Sequence, residues 1–239
     1  WADTAERFGF ERYDASILEP SALYRAKGRG RSQFAIFEDA DDPYTVERLR
    51  FESELRQAVQ RGQLRLSYQP EVDLRTGHVI GAEALVRWEH PERGILSPTE
   101  FVPLAEETGE ILGLGEWILD EACAQGARSA RMHGHAFVIS VNLSAREFGE
   151  RGLIDHVSNA LHRSGLRPSS LRIEITETAL RRDSPIANTM LGALNELGVQ
   201  LALDDFGTGY SSLSYLSRLP VDIVKIDRGF VASLTEDPR

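Results

Sequence analysis

The chain has 239 residues, 41% hydrophobic and 27% charged, a globular composition with room for one large domain or two small ones. Its 37 acidic and 27 basic side chains leave a net charge of −10, which argues against broad binding of nucleic-acid polymers. No apolar run approaches the ~18 residues of a membrane span. The start Trp1–Glu6 carries no signal-peptide pattern, and the single Cys123 cannot form an intramolecular disulfide. The expected setting is cytoplasmic, either free or as the cytoplasmic part of a membrane-anchored protein.

Residues 1–43 read as a separate piece. Ser21–Lys27 is the end of a helix broken by Gly28 and Gly30, Gln33–Phe37 is a short strand, and Asp39–Pro43 is an acidic boundary loop. The basic group Arg25, Lys27, Arg29 and Arg31 suits a phosphate contact or, more simply, a solvated helix end. Tyr44–Gly62 is helical, with Val46, Leu49, Leu55, Ala58 and Val59 near helical spacing and Gly62 as its stop. Leu64–Tyr68 and Val79–Trp88 are strands. The turn between them, Asp73–His78, is too short for a parallel crossover, so the two pair antiparallel. Helices over Pro98–Glu107 and Gly115–His133 follow. Strands at Ala136–Leu143, Leu171–Thr176, Gln200–Phe206 and Ile223–Asp227 then alternate with helices at Leu153–Ser164 and Asn188–Leu197. Repeated βα units predict an α/β fold with a parallel sheet flanked by helices.

Polar residues fall where these strands end. Glu83 lies in the second strand, Asn142 ends the third, Glu174 lies in the fourth, Asp204 and Asp205 end the fifth, and Lys225 and Asp227 end the sixth. Asn142, Glu174 and Asp204 stand 32 and 30 residues apart, about the length of one βα unit. They therefore converge on one rim, where barrel enzymes place their chemistry. Two adjacent carboxylates after the apolar run Leu201-Ala202-Leu203 are costly to bury unless a cation compensates them. All the candidate ligands are hard oxygens, which select Mg²⁺, Mn²⁺ or Ca²⁺ over thiolate-loving metals. The histidines show no zinc-protease spacing, and neither a Gly-x-Ser-x-Gly elbow nor a P-loop is present. The stretch Gly207-Thr208-Gly209-Tyr210-Ser211-Ser212-Leu213 is a glycine- and serine-rich loop suited to close approach or to lid motion.

These motifs, taken in order, resemble the EAL family. Tyr68-Gln69-Pro70 resembles its opening strand and Glu83-Ala84-Leu85-Val86-Arg87 its signature. Asn142-Leu143-Ser144, Glu174-Ile175-Thr176-Glu177, Asp204-Asp205-Phe206-Gly207-Thr208-Gly209 and Lys225-Ile226-Asp227 resemble the next four motifs. The resemblance spans residues 44–239. Ala22–Arg31 resembles the last helix of a GGDEF (diguanylate cyclase) domain, whose own signature is absent here. The resemblance implies a (β/α)8-type, TIM-like barrel with an antiparallel first strand. Family motifs expected beyond the sixth strand, Glu-Gly-Val-Glu and Gln-Gly, are not in the sequence, so the C-terminal strands are expected to be missing.

The resemblance further implies metal-dependent hydrolysis of cyclic di-GMP to linear pGpG, with a catalytically inactive cyclic di-GMP receptor as the alternative. Glu83, Asn142, Glu174, Asp204 and Asp205 would bind Mg²⁺ or Mn²⁺, Asp227 would support a second ion, and Lys225 would orient or activate water. Glu83 and Lys225 are thus the catalytic pair. Gln69, Leu85 and Arg87 would face the substrate, and Glu177 would anchor loop 207–213. Ca²⁺, with longer bonds and weaker acidification of water, is expected to bind and inhibit. The expected partners are cyclic di-GMP, a second copy of the chain in a homodimer, and an upstream GGDEF or sensor domain.

Overall fold

The computed structural model describes residues 46–133, 137–150, 152–176, 179–180, 184–206, 219–227 and 229. The elements expected within residues 1–43, loop 207–213 and Glu177 lie outside the described residues. The chain divides into two compact units, Trp1–Phe51 and Glu52–Arg239; apart from residues 46–51 at the start of the first described helix, everything that follows lies in the second.

Helix α1 runs Val46–Ala58, with Glu52 and Arg56 paired one turn apart at 3.1 Å and Gly62 in the left-handed region at φ +62° beyond its end. Strands β1 (Leu64–Val72) and β2 (Val79–His90) pair antiparallel as expected, with Gln69 opposite Glu83. Asp73 makes the turn between them. Its Oδ1 accepts from the amides of Arg75 and Thr76 at 2.8 and 3.1 Å, and Gly77 takes φ +73° to close it. A three-residue strand, β3 (Gly94–Leu96), pairs with the end of β2; it is too short for an alternation pattern to reveal.

Helix α2 (Pro98–Thr108) opens with a capping box, Glu100 reaching back to the Ser97 amide at 2.7 Å, and ends at Gly109. Helix α3 (Ile111–His133) begins four residues before the expected Gly115. The remaining elements are β4 (Val138–Leu143), the short α4 (Ala145–Phe148), α5 (Leu153–Ser164), β5 (Leu171–Thr176), α6 (Ser184–Glu196), β6 (Gln200–Phe206) and β7 (Ile223–Ile226). The sheet order is β1-β2-β4-β5-β6-β7, antiparallel at β1–β2 and parallel from β2 onward. Among the described residues the sheet does not close.

Period-two alternation gives the sheet two different faces. Ala84, Ile139, Val141, Ile173, Leu201 and Leu203 join helix residues such as Leu119, Val157 and Leu191 in one buried core. Each large side chain fully buried there contributes roughly 1.5–3 kcal/mol. The helix packs tightly on the sheet at Gly126, where a Cβ would stand 2.9 Å from Ile139. Cys123 lies in this core, and burial pushes its thiol up to about 12, so it is no nucleophile at neutral pH. The other face carries the polar residues.

Candidate active site

Along β2, Ala82, Ala84, Val86 and Trp88 are buried, while Glu83, Leu85 and Arg87 alternate with them and are half-buried. Directly opposed residues of an antiparallel pair share a face, so Gln69 joins that row across from Glu83. The same alternation carries Asn142 and Glu174 onto one face, where they are register partners of β4 and β5.

Lys225, reaching in from β7, gathers the carboxylates. Its Nζ lies 2.9 Å from Glu83 Oε2, donates to Glu174 Oε2 and stands 3.5 Å from Asp204 Oδ2. Asn142 Nδ2 donates to Glu83 Oε1 at 2.6 Å. Five strands thus deliver Glu83, Asn142, Glu174, Asp204 and Lys225 to one point, as the sequence spacing predicted. Burial is the main reason the Glu174 carboxyl rises to about 7; Lys225 pulls it down, and Glu83 and Asp204 push it further up. Burial also disfavours the Lys225 ammonium, but its bonds to Glu174 and Glu83 outweigh this and hold it above its ordinary value.

The double aspartate uses a backbone device. Adjacent strand residues point to opposite faces, but the β6–β7 pairing slips between Leu203 and Phe206, and Asp205 takes φ +54°. Positive φ is uncommon outside glycine and concentrates at functional sites. Asp204 Oδ1 accepts the Asp205 amide at 2.9 Å. The Asp205 carboxyl is raised by burial first, then by Asp204 and Asp227, so these acids share one field. Asp227 Oδ1 accepts the Gly229 amide at 2.8 Å. Leu85 and Arg87 lie on the same face of β2 but outside the Lys225 cluster; Arg87 donates to the Val86 carbonyl at 2.8 Å.

The donor set fits a hard divalent cation. Three carboxylates, Glu83, Glu174 and Asp204, stand around the Lys225 ammonium and Asp205 adds a fourth beside Asp204, an excess of negative charge. Glu174 Oε1 is fully buried with no hydrogen-bond partner among the described residues, a costly state that a cation would relieve. The ligands are not drawn together in advance: among the described residues no three acidic, histidine or cysteine side chains stand close enough to hold a metal. The ammonium of Lys225 lies among them instead.

Residues 52–239 match the EAL domain family. The chain belongs to that family. The motif behind the name, Glu83-Ala84-Leu85, sits on β2, its glutamate in the Lys225 cluster and its alanine in the core. This EAL domain is 48% identical over 230 residues to the bifunctional diguanylate cyclase/cyclic di-GMP phosphodiesterase MucR of Pseudomonas aeruginosa, covering 96% of this chain and 33% of MucR. It is 42% identical over 219 residues to the cyclic di-GMP phosphodiesterase NbdA of the same organism, covering 91% of this chain and 28% of NbdA. The chain therefore spans a third or less of these relatives. A solved structure of the MucR phosphodiesterase in complex with c-di-GMP superposes with a TM-score of 0.74 at 50% identity, covering 79% of this chain and 76% of the other. The fold class is the TIM-like barrel of EAL domains, here with an antiparallel first strand.

Sequence reasoning missed a second set of polar residues beneath this site. Glu71, Ser140, Arg172 and Gln200 form a hydrogen-bonded layer on the same sheet face. The signal was the even offset that keeps them on the site's face: Glu71, Ser140 and Arg172 stand two residues from Gln69, Asn142 and Glu174, and Gln200 stands four from Asp204.

Proposed function

We propose that this EAL domain hydrolyses cyclic di-GMP to linear pGpG. The observation that carries this reading is the convergence of Glu83, Asn142, Glu174, Asp204 and Lys225 from five strands. The names of its relatives MucR and NbdA, and the c-di-GMP bound to the MucR phosphodiesterase, support the choice of substrate. Glu83, Asn142, Glu174, Asp204 and Asp205 would hold Mg²⁺ or Mn²⁺, with Asp227 supporting a second ion. When bound, such ions acidify water and neutralise phosphate charge.

The chain's own residues do the rest. Water adds to phosphorus, the P–O3′ bond breaks, and the 3′ oxygen leaves as a hydroxyl, so the product keeps a 5′-phosphate. Lys225, an ammonium at neutral pH, orients the water as a cationic donor rather than as a base. Arg87 meets a phosphate, Leu85 packs on a guanine and Gln69 faces the substrate from β1, opposite Glu83. Glu177 anchors loop 207–213 against the site. Residues 1–43 are read as the remnant of an upstream GGDEF domain; the 230-residue alignment with MucR, longer than the EAL match, supports this. A homodimer is the expected assembly, checked by light scattering.

The test is to incubate the chain with cyclic di-GMP and Mg²⁺ or Mn²⁺ and to separate the nucleotides chromatographically. Metal-dependent appearance of pGpG is expected. Tight binding without turnover in either metal would favour the receptor alternative, and neither binding nor turnover would overturn the reading.

A further inference from the structure

Directly under the carboxylate cluster, the polar layer crosses the sheet. Glu71 on β1 is register partner to Gly81 on β2, and Gly81 is partner to Val138 on β4. A Cβ at Gly81 would stand 2.4 Å from the Val138 carbonyl oxygen, so this position takes glycine because β4 approaches closely. Strands β1 and β4 lie two strand spacings apart, roughly 10 Å along the sheet, and the two side chains meet between them, Glu71 Oε1 accepting from Ser140 Oγ at 2.8 Å.

Glu71 Oε2 accepts from Arg172 Nη1 on β5. The same Nη1 lies 3.3 Å from Ser140 Oγ. The other edge of the guanidinium, Nε and Nη2, donates to Gln200 Oε1 on β6 at 3.3 and 3.2 Å. Gln200 Nε2 in turn donates to the Ser169 carbonyl at 3.0 Å. The Arg172 side chain is 9% exposed, so these bonds operate largely out of water.

Three members stand one strand repeat below a residue of the site, Glu71 below Gln69, Ser140 below Asn142 and Arg172 below Glu174, and Gln200 stands two repeats below Asp204. Gly81 lies one repeat below Glu83. The layer ties the antiparallel β1–β2 hairpin to the parallel strands at the level where the site residues take their spacing. We infer that Glu71, Ser140, Arg172 and Gln200 form a positioning layer that sets the distances between Glu83, Asn142 and Glu174 and thereby tunes the affinity of that cluster for its divalent cation. The inference rests on the reading of the cluster as a metal site. Arg172 is a positioning residue, not a catalytic one.

The test is Mn²⁺ titration of the full chain by calorimetry, well below the melting temperature, without substrate. Outer-layer support of metal ligands typically changes affinity 10–100-fold. Arg172→Met is expected to weaken Mn²⁺ binding about tenfold, with kcat returning towards the parental value at saturating metal. Glu71→Gln keeps an acceptor for Ser140 but loses the charge; it gives a smaller loss and serves if Arg172→Met fails to fold. Lower melting temperatures with parental Mn²⁺ affinity in the folded variants would show that the layer is merely structural and overturn the inference. A parent chain that binds no Mn²⁺ at all would instead overturn the metal reading, and the inference with it.

Discussion

Lys225→Met removes the ammonium that lies among Glu83, Glu174 and Asp204. The lysine side chain is 28% exposed and that of Glu174 is 0% exposed, so the Glu174 pair is shielded on the acid side and only partly on the other. Breaking a buried pair from one side costs about 3–5 kcal/mol. Partial exposure and proton uptake by Glu174, already raised to about 7, bring the expected loss to the lower end, about 3 kcal/mol. For a domain of this size that lowers Tm by about 6–12 °C. The loss should be larger at pH 8 than at pH 6, because at lower pH a proton on Glu174 takes over from the missing ammonium. Mn²⁺ should stabilise the variant more than the parent, since it no longer has to displace Nζ. Scanning calorimetry at both pH values, with and without Mn²⁺, reads all three effects. A variant that melts with the parent and gains no more from Mn²⁺ would refute the argument that ammonium and metal share these carboxylates.

Glu83→Ala should abolish metal-dependent hydrolysis while keeping the fold, because Glu83 stands in the polar row and not in the core; parental turnover with intact circular dichroism would count against it. Ca²⁺ as sole metal should bind, by calorimetry, and suppress turnover, because it prefers more ligands and longer bonds; full activity in Ca²⁺ would contradict this. Glu147 is buried, and burial, opposed by bonds from Ser144, pushes its carboxyl from 4.5 to about 7. An acid raised on folding favours the native state only while protonated. The resulting stability, about 3 kcal/mol, is full below the ordinary carboxylate value and fades as pH climbs from about 4.5 to 7. Glu147→Gln should flatten that fall in urea unfolding, and an unchanged pH slope would refute the assignment.

Much of the sheet was legible because its signals are local. Alternation marked β1, the short turn forced β1 and β2 antiparallel, and the βα repeat set the parallel order. The cluster was legible for a related reason: in a parallel sheet, polar residues at equivalent strand ends meet, as Glu83, Asn142, Glu174, Asp204 and Lys225 do. What escaped depends on pairing or backbone shape that no single segment reveals. β3 has three residues and exists through its partner β2. The positive φ of Asp205 arises where the β6–β7 register slips. Arg172, between Leu171 and Ile173, reads as an ordinary strand arginine until Glu71 and Gln200 from other strands are beside it. What was hidden at Lys225 was its ion pairing: the family resemblance suggested a lysine near a metal, not one bonded to acids that would otherwise repel one another.

The most direct measurement is anomalous diffraction from crystals of the chain soaked in Mn²⁺. The account predicts a manganese peak within bonding distance of Glu174 Oε1 and of the Glu83 carboxylate, with Lys225 Nζ withdrawn from Glu174. Manganese bound only elsewhere, with Lys225 still seated on Glu174, would contradict it.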